Sequence, residues 1–233
     1  MELKPISYEA DGLKLTGLIA DGSGGKPAPG ILVAHEAPGI GDSIKERTLR
    51  LAERGYVALA SDMYGREVSI PEAIEHHQAL MAAPGALLRR ARGALDTLAA
   101  QPGVDPSRLA SIGFCQGGIV SLELARAQAP IKAAVGFHPG FKRPEGSTTS
   151  TISAKVLMMI GDDDPVIPAE DRAAFAAEMS GAGADWQLVT FGGVGHSYTN
   201  KAVDAFGMPG FGYHADADRR SWAMMLNLFD EIF

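Results

Sequence analysis

The chain has 233 residues and a formal charge of −7, with 46 % hydrophobic and 21 % charged residues, the balance of an ordinary globular protein. The acidic excess argues against nucleic acid and anionic membrane surfaces as partners, and no apolar run reaches the length of about 18 residues that a membrane span needs. A single cysteine excludes an intramolecular disulfide and fits a reducing, cytoplasmic setting. The opening Met1-Glu2-Leu3-Lys4-Pro5-Ile6-Ser7 shows neither the basic nor the apolar region of a signal peptide.

Taken in chain order, residues 4–8 and 12–20 read as two strands joined at Asp11-Gly12, a hairpin turn signal. Residues 21–30 are rich in Gly and Pro and form an exposed loop. Its Gly24-Gly25-Lys26 is not a phosphate loop, because Pro27 stands where Ser or Thr is needed and a strand follows. Residues 30–35 are continuously apolar, as in a buried parallel strand. Ser43 to Glu46 resembles a capping box opening a helix that runs to Gly55. A buried strand follows at 56–61, then helices at 71–81 and 86–100 separated by Pro84-Gly85. Strands are expected at 108–114, 131–137, 154–160 and 186–191, and helices at 117–126, 168–179 and 218–233. Residues 139–152 form the longest irregular stretch and are expected to build part of a cleft wall. This alternation predicts an α/β fold, a mostly parallel doubly wound sheet with helices on both faces and an antiparallel N-terminal edge. No repeat or linker divides residues 1–233, which read as a single domain.

The cysteine stands in Gly113-Phe114-Cys115-Gln116-Gly117, the G-x-C-x-G form of a nucleophile elbow. A strand that turns sharply into a helix exposes the turn residue at the top of the sheet. Gly113 and Gly117 fit positions where the two backbones pass too close for a Cβ. The helix N-terminus behind Cys115 offers free N–H groups and a partial positive charge, which favour a thiolate and an oxyanion.

Such a nucleophile needs a base, and the base an orienting group. In open α/β sheets both sit on loops after strands. The loop after 154–160 carries Asp162, Asp163 and Asp164, and the loop after 186–191 carries His196. Among the aspartates Asp164 is preferred, because it precedes Pro165-Val166-Ile167-Pro168; Asp162 and Asp163 read as turn caps. Of the other five histidines, His76 and His77 face apart on a helix, and His138 and His214 read as structural. No spacing suggests a metal site, and no cofactor is expected. The oxyanion hole is assigned to the backbone N–H groups of Gln116 and of Ala37, in the loop after strand 30–35.

The runs His35-Glu36-Ala37-Pro38-Gly39 and Asp62-Met63-Tyr64-Gly65, the G-x-C-x-G elbow, Gly161 with Asp164, and Gly195-His196-Ser197 together resemble the dienelactone hydrolase family over essentially the whole length. The resemblance implies an α/β-hydrolase fold and a triad of Cys115, His196 and Asp164. It also implies that Glu36 lies near the resting thiol and helps control its ionisation. A carboxylate beside a thiolate is repulsive and would hold the thiol protonated until substrate moves it.

Relatives active on dienelactone hold its carboxylate with two arginines. One position corresponds here to Asn200, and the segment 71–88 that would carry the other has no arginine. The substrate is therefore expected to be a small neutral ester or lactone, unless Lys201, Arg66, Arg89 or Arg90 reaches the pocket. Tyr64, Phe114, Tyr198, Asn200, Phe206 and Met208 are the candidate pocket residues. A thiolate cleaves activated bonds best, since with a poor leaving group the tetrahedral intermediate collapses backwards; aryl phosphotriesters meet the same requirement as a side activity. Two rivals are a thiol redox sensor, opposed by the absence of a resolving cysteine, and a non-catalytic binding protein, opposed by the intact triad pattern. The chain is expected to act as a monomer or small homo-oligomer.

Overall fold

The structure is a computed structural model describing residues 1–233. Eight strands form one sheet: β1 (Lys4–Ala10), β2 (Leu13–Asp21), β3 (Ala28–Ala34), β4 (Val57–Ser61), β5 (Val104–Phe114), β6 (Ala133–Phe137), β7 (Lys155–Gly161) and β8 (Trp186–Phe191). Their order is β1-β2-β4-β3-β5-β6-β7-β8. β1 and β2 are antiparallel to each other, β2 is antiparallel to β4, and all later neighbours run parallel. Strand order reverses between β3 and β5, so the loops leaving these two strands diverge and open a crevice. Cys115 follows β5 and Glu36 follows β3, one on each side of it.

Six helices cover the sheet: α1 (Asp42–Ala52), α2 (Ile70–Ala82), α3 (Ala86–Ala99), α4 (Gln116–Arg126), α5 (Ala169–Gly181) and α6 (Ala215–Ile232). The β strands are apolar on both sides because each face has its own core. On one face Ile44 and Leu51 of α1 and Trp222, Met225 and Phe229 of α6 pack on Ile31, Val33, Ile112 and Val135. On the other, Leu87, Leu95 and Leu98 of α3, Leu122 and Leu124 of α4 and Phe175 and Met179 of α5 pack on Leu32, Leu59 and Val156. No helix is long and apolar enough to cross a membrane.

Three local details depart from the sequence reading. α1 starts at Asp42 with Gly41 as its cap and no side-chain capping bond. Ser43 already lies inside the first turn, so the expected capping box does not form there. The reciprocal pair occurs instead at α2, where the Ser69 N–H donates to Glu72 Oε2 at 3.1 Å. β5 begins at Val104, and its register against β3 jumps after Asp105, pairing Pro29 with Asp105 and Gly30 with Leu109. A 3-10 turn at Lys201–Phe206 was not foreseen.

The irregular stretch after β6 serves α4 and α5 more than the cleft. Arg126 of α4 donates to Glu123 at 2.7 Å and forks onto Glu178 of α5 at 2.9 and 2.6 Å. Ser147 and Thr149 of the stretch donate to the same two glutamates, and Glu145 N–H donates to Met81 O of α2. The stretch thus straps down the helix that carries Cys115 at its N-terminus. Arg126→Ala leaves Glu123, only 3 % exposed, without its cation. The expected loss is about 3–5 kcal/mol of stability, read as a lower midpoint in urea denaturation.

Candidate active site

Cys115 occupies the turn between β5 and α4 with φ 51° and ψ −114°, a conformation that costs a non-glycine residue about 1–3 kcal/mol. Surrounding packing enforces it. A Cβ on Gly113 would lie 1.9 Å from Gly117 O, and one on Gly117 would lie 2.1 Å from Ala34 O. Only glycines let β3, β5 and α4 meet this closely. The Cys115 N–H donates to Phe137 O at 3.0 Å, which ties the strained residue to β6. The side chain is partly exposed.

His196 lies in the loop after β8, pinned by its N–H to Gly210 O at 2.7 Å and by a bridge to Phe211. Its Nδ1 is 2.7 Å from Asp164 Oδ2, and the residues are 1 % and 4 % exposed. The other Asp164 oxygen accepts from Val166 N–H at 2.8 Å. Of the three aspartates it alone reaches the imidazole: Asp162 is exposed and takes Arg172 at 2.8 Å, and Asp163 is exposed. Cys115 lies close enough for its charge to act on the imidazole. Burial works against the imidazolium, but the charge of Cys115 and the bond to Asp164 outweigh it and hold the His196 pKa up to about 10.

The loop after β3 closes the other side. Gly39 N–H donates to Glu36 O at 2.9 Å, making a tight turn in which Gly39 has φ 97°. Ala37 N–H has no acceptor within the protein. Gln116, as first residue of α4, has no intrahelical acceptor for its own N–H. Two donors are thus left open beside Cys115. Glu36 is held by Asn200, whose Nδ2 donates to its Oε2 at 2.6 Å. The amide offers the carboxylate a donor where a thiolate would repel it. Burial raises the Glu36 pKa, opposed by Asn200 and by the charges of His196 and Arg47.

Two residues expected in the pocket wall are not there. Phe114 and Tyr198 are 1 % and 0 % exposed. Phe114 stacks on Phe137 at 4.7 Å, and Tyr198 packs edge-on against His138 with its hydroxyl donating to Met159 O. Phe114 ends β5, whose last six residues are all buried, and Tyr198 packs with Val194, Ala217 and Phe191, so both side chains go to core. Phe206 and Met208 are 47 % and 42 % exposed, on the segment between Asn200 and Phe211. Val166 and the α2 residues Ile70 and Ile74 are exposed apolar groups too.

Sequence reasoning missed four neighbours. The Phe211 ring stands edge-on to His196 at 5.0 Å. His138, read as structural, lies 5.1 Å from His196, with φ 41° and its Nε2 2.8 Å from Thr199 Oγ1. Burial, with the charges of His196 and Arg47, keeps it neutral. Arg47 is buried on α1 and donates to Thr199 O and Asp218. His77 reaches Gln116 from α2. The elbow and its loops could be read from motif spacing, but nothing short-range marks a helix cation as buried under a site over a hundred residues away.

Residues 15–233 match the dienelactone hydrolase family. The chain belongs to that family. It is similar to the dienelactone-hydrolase-like promiscuous phosphotriesterase P91 from metagenomic libraries: 36 % identical, TM-score 0.91, covering 100 % of this chain and 98 % of that one. A structure described as m3DLH is 39 % identical with TM-score 0.92 over 100 % and 98 % of the two chains. A Yersinia pestis protein named "Putative carboxymethylenebutenolidase" is 27 % identical over 88 % of this chain and 79 % of its own. The sheet and helices are those of the α/β-hydrolase fold, and membership of the dienelactone hydrolase family makes the chain a hydrolase of ester or lactone bonds.

Against the arginine pair of dienelactone-active family members, the four cations that could substitute are engaged elsewhere. Arg66 pairs with Glu72; Arg89 and Arg90 both hold Asp11, and Arg90 also donates to Met63 O. Lys201 lies over the Tyr213 ring at 5.4 Å. Arg47 is 3 % exposed and committed to Asp218.

The raised His196 pKa sets a pH window. The group is protonated below about 10 and loses its proton above. For a lactone, whose alkoxide leaving group needs a proton, kcat/KM should hold through neutral pH and fall on an alkaline limb near that value. Asp164→Asn removes one support of the imidazolium, so the limb should move to lower pH, with kcat lower by on the order of 10⁴. A pH–rate profile of the two proteins measures both effects.

Proposed function

We propose that residues 1–233 form one hydrolase domain that cleaves neutral, activated esters and lactones through a Cys115–His196–Asp164 triad. The observation that carries this reading is the buried 2.7 Å bond between His196 and Asp164 beside a cysteine strained into the elbow.

The Cys115 thiolate attacks the substrate carbonyl carbon. The carbonyl oxygen takes up the electron pair and is held by the N–H groups of Ala37 and Gln116. The intermediate collapses, the carbon–oxygen bond to the leaving group breaks, and His196 gives that oxygen its proton. A thioester and a neutral imidazole remain. Acylation consumes the thiolate charge, which is one of the two supports of the raised His196 pKa. The imidazole therefore becomes a base when a base is needed. It takes a proton from water, hydroxide attacks the thioester, and Cys115 leaves as thiolate. Asp164 orients the ring throughout. Glu36 acts on His196 through its charge and on Asn200 by its hydrogen bond. The exposed apolar Phe206 and Met208 suit an apolar acyl or aryl group, with Asn200 as a polar member of the pocket, whereas Tyr64 is buried with its hydroxyl on Ala37 O and Gln116. The likeness to P91 supports aryl phosphotriesters as a side activity, since they are neutral with good leaving groups.

Cys115→Ala should abolish ester turnover while thermal unfolding stays close to wild type; wild-type turnover in that variant overturns the nucleophile. Substrate charge is the second test. Burying a carboxylate without a cation costs several kcal/mol. The kcat/KM for a neutral lactone should therefore exceed that for a carboxylate-bearing dienelactone of similar size by about 10-fold or more. A preference for the anion would show that one of the engaged cations swings into the pocket.

A further inference from the structure

The open N–H of Ala37 belongs to a loop, and loops do not aim donors unless something holds them. Two buried side chains do so here. The first is His35, 1 % exposed. Met63 N–H donates to its Nε2 at 3.2 Å, and its Nδ1 lies 2.6 Å from Glu36 O. An Nε2 that accepts leaves the proton on Nδ1, which then donates to Glu36 O. Burial keeps the ring neutral, so the tautomer persists. Glu36 C=O and Ala37 N–H are opposite ends of one planar trans peptide. Holding the oxygen fixes where the hydrogen points.

The second is Tyr64, whose own loop is shaped by Asp62 accepting from the N–H groups of Tyr64 and Gly65 at 2.8 and 3.0 Å. Tyr64 Oη lies 3.0 Å from Ala37 O and 2.8 Å from Gln116 Oε1. Both are acceptors and a phenol has one proton. Burial pushes the Tyr64 pKa up to about 12, so that proton is present. On the same carboxamide Nε2 is buried with no partner, while Oε1 also sits 2.8 Å from His77 Nδ1. Interchanging the two ends of the amide removes the conflict. The nitrogen then donates one hydrogen to Tyr64 Oη and the other to His77 Nδ1, and Tyr64 gives its proton to Ala37 O. The amide oxygen takes the buried position, where an unpaired acceptor is tolerated better than an orphaned donor.

We propose that His35 and Tyr64 are positioning residues that clamp the two peptides flanking Ala37, with Gln116 and His77 directing the phenol proton onto the Ala37 carbonyl. The clamp pre-aims one oxyanion donor before substrate arrives. It acts on charge that develops only in the transition state, so its loss lowers kcat and leaves KM nearly unchanged. The inference rests on the proposed oxyanion hole.

The test is steady-state hydrolysis of an aryl ester by purified variants, with thermal unfolding as the check on folding. Tyr64→Phe deletes one oxygen and should cost about 10-fold in kcat, less than the 10² or more lost with an oxyanion donor itself. Gln116→Glu places only acceptors against the phenol, so the proton turns away from Ala37 and kcat should fall equally. Wild-type kcat in Gln116→Glu overturns the proton order, and wild-type kcat in Tyr64→Phe overturns the clamp. For His35, Asn keeps a donor at the Nδ1 position, while Gln keeps only a group at the Nε2 position. His35→Asn should retain most of kcat and His35→Gln should lose about 10-fold; equal loss in both assigns His35 to folding alone and overturns its role. Cys115→Ala separates the two levels: turnover retained there defeats the triad reading, whereas an inactive Cys115→Ala beside fully active clamp variants defeats only the clamp.

Discussion

The close approach of three backbones at the top of the sheet is the constraint on which the site depends. Gly113, Gly117 and Ala34 belong to β5, α4 and β3, and the nearest positions a Cβ would take fall about 2 Å from a neighbouring carbonyl, far inside van der Waals contact. That contact forces the turn at Cys115, places α4 directly behind it, and brings the end of β3 against the first turn of α4. The other parts of the site are fitted around this fixed point. β7 and β8 deliver Asp164 and His196 from one side, and the Tyr64 loop arrives from the other.

Electrostatics then divides the labour among buried groups. His196 sits between two negative partners and is held cationic, whereas His35 and His138 are equally buried and are held neutral. The difference is what each imidazole faces. His35 meets a backbone N–H on one nitrogen and a carbonyl on the other. His138 faces His196 and Arg47, two positive neighbours, and bonds a hydroxyl. One residue type thus supplies a titrating group, a fixed donor and a neutral wall within a few ångströms, selected by surroundings alone.

Much of this could be read from the sequence, and the boundary is physical. The buried strands announced themselves by continuous apolar runs, and the elbow by glycines flanking Cys115, because close backbone approach admits no other residue. Asp164 was separable from Asp162 and Asp163 by the run Pro165-Val166-Ile167-Pro168 directly behind it. Phe114 and Tyr198 were misplaced because an aromatic next to a motif looks the same whether it faces a cleft or a core; only the packing of Phe137 and His138 decides it. Arg47 and His77 were invisible for another reason. Each acts across long separations, on Thr199 and Gln116 respectively, and helical periodicity says only that a face exists, not what it will meet. The Ser43–Glu46 pattern failed because capping needs the serine outside the first turn, and Gly41 already takes that place.

The charge balance over the elbow bears on substrate choice independently of any missing clamp. With the thiol ionised, Cys115, Asp164, Glu36 and Asp218 present four negative groups against the two positive groups His196 and Arg47. Neither cation is free for a substrate, since Arg47 is buried against Asp218 and His196 is bonded to Asp164. Asn200 fits this arithmetic. Its neutral amide satisfies Glu36 at 2.6 Å without adding positive charge, where a guanidinium would both pair the glutamate and attract an anion. A carboxylate-bearing substrate would enter a crevice whose field does not draw it in and which offers it no free side-chain cation. In the proposed mechanism a neutral ester brings no charge until its carbonyl carbon is attacked, and the oxygen that then takes up the electron pair meets the open N–H groups of Ala37 and Gln116.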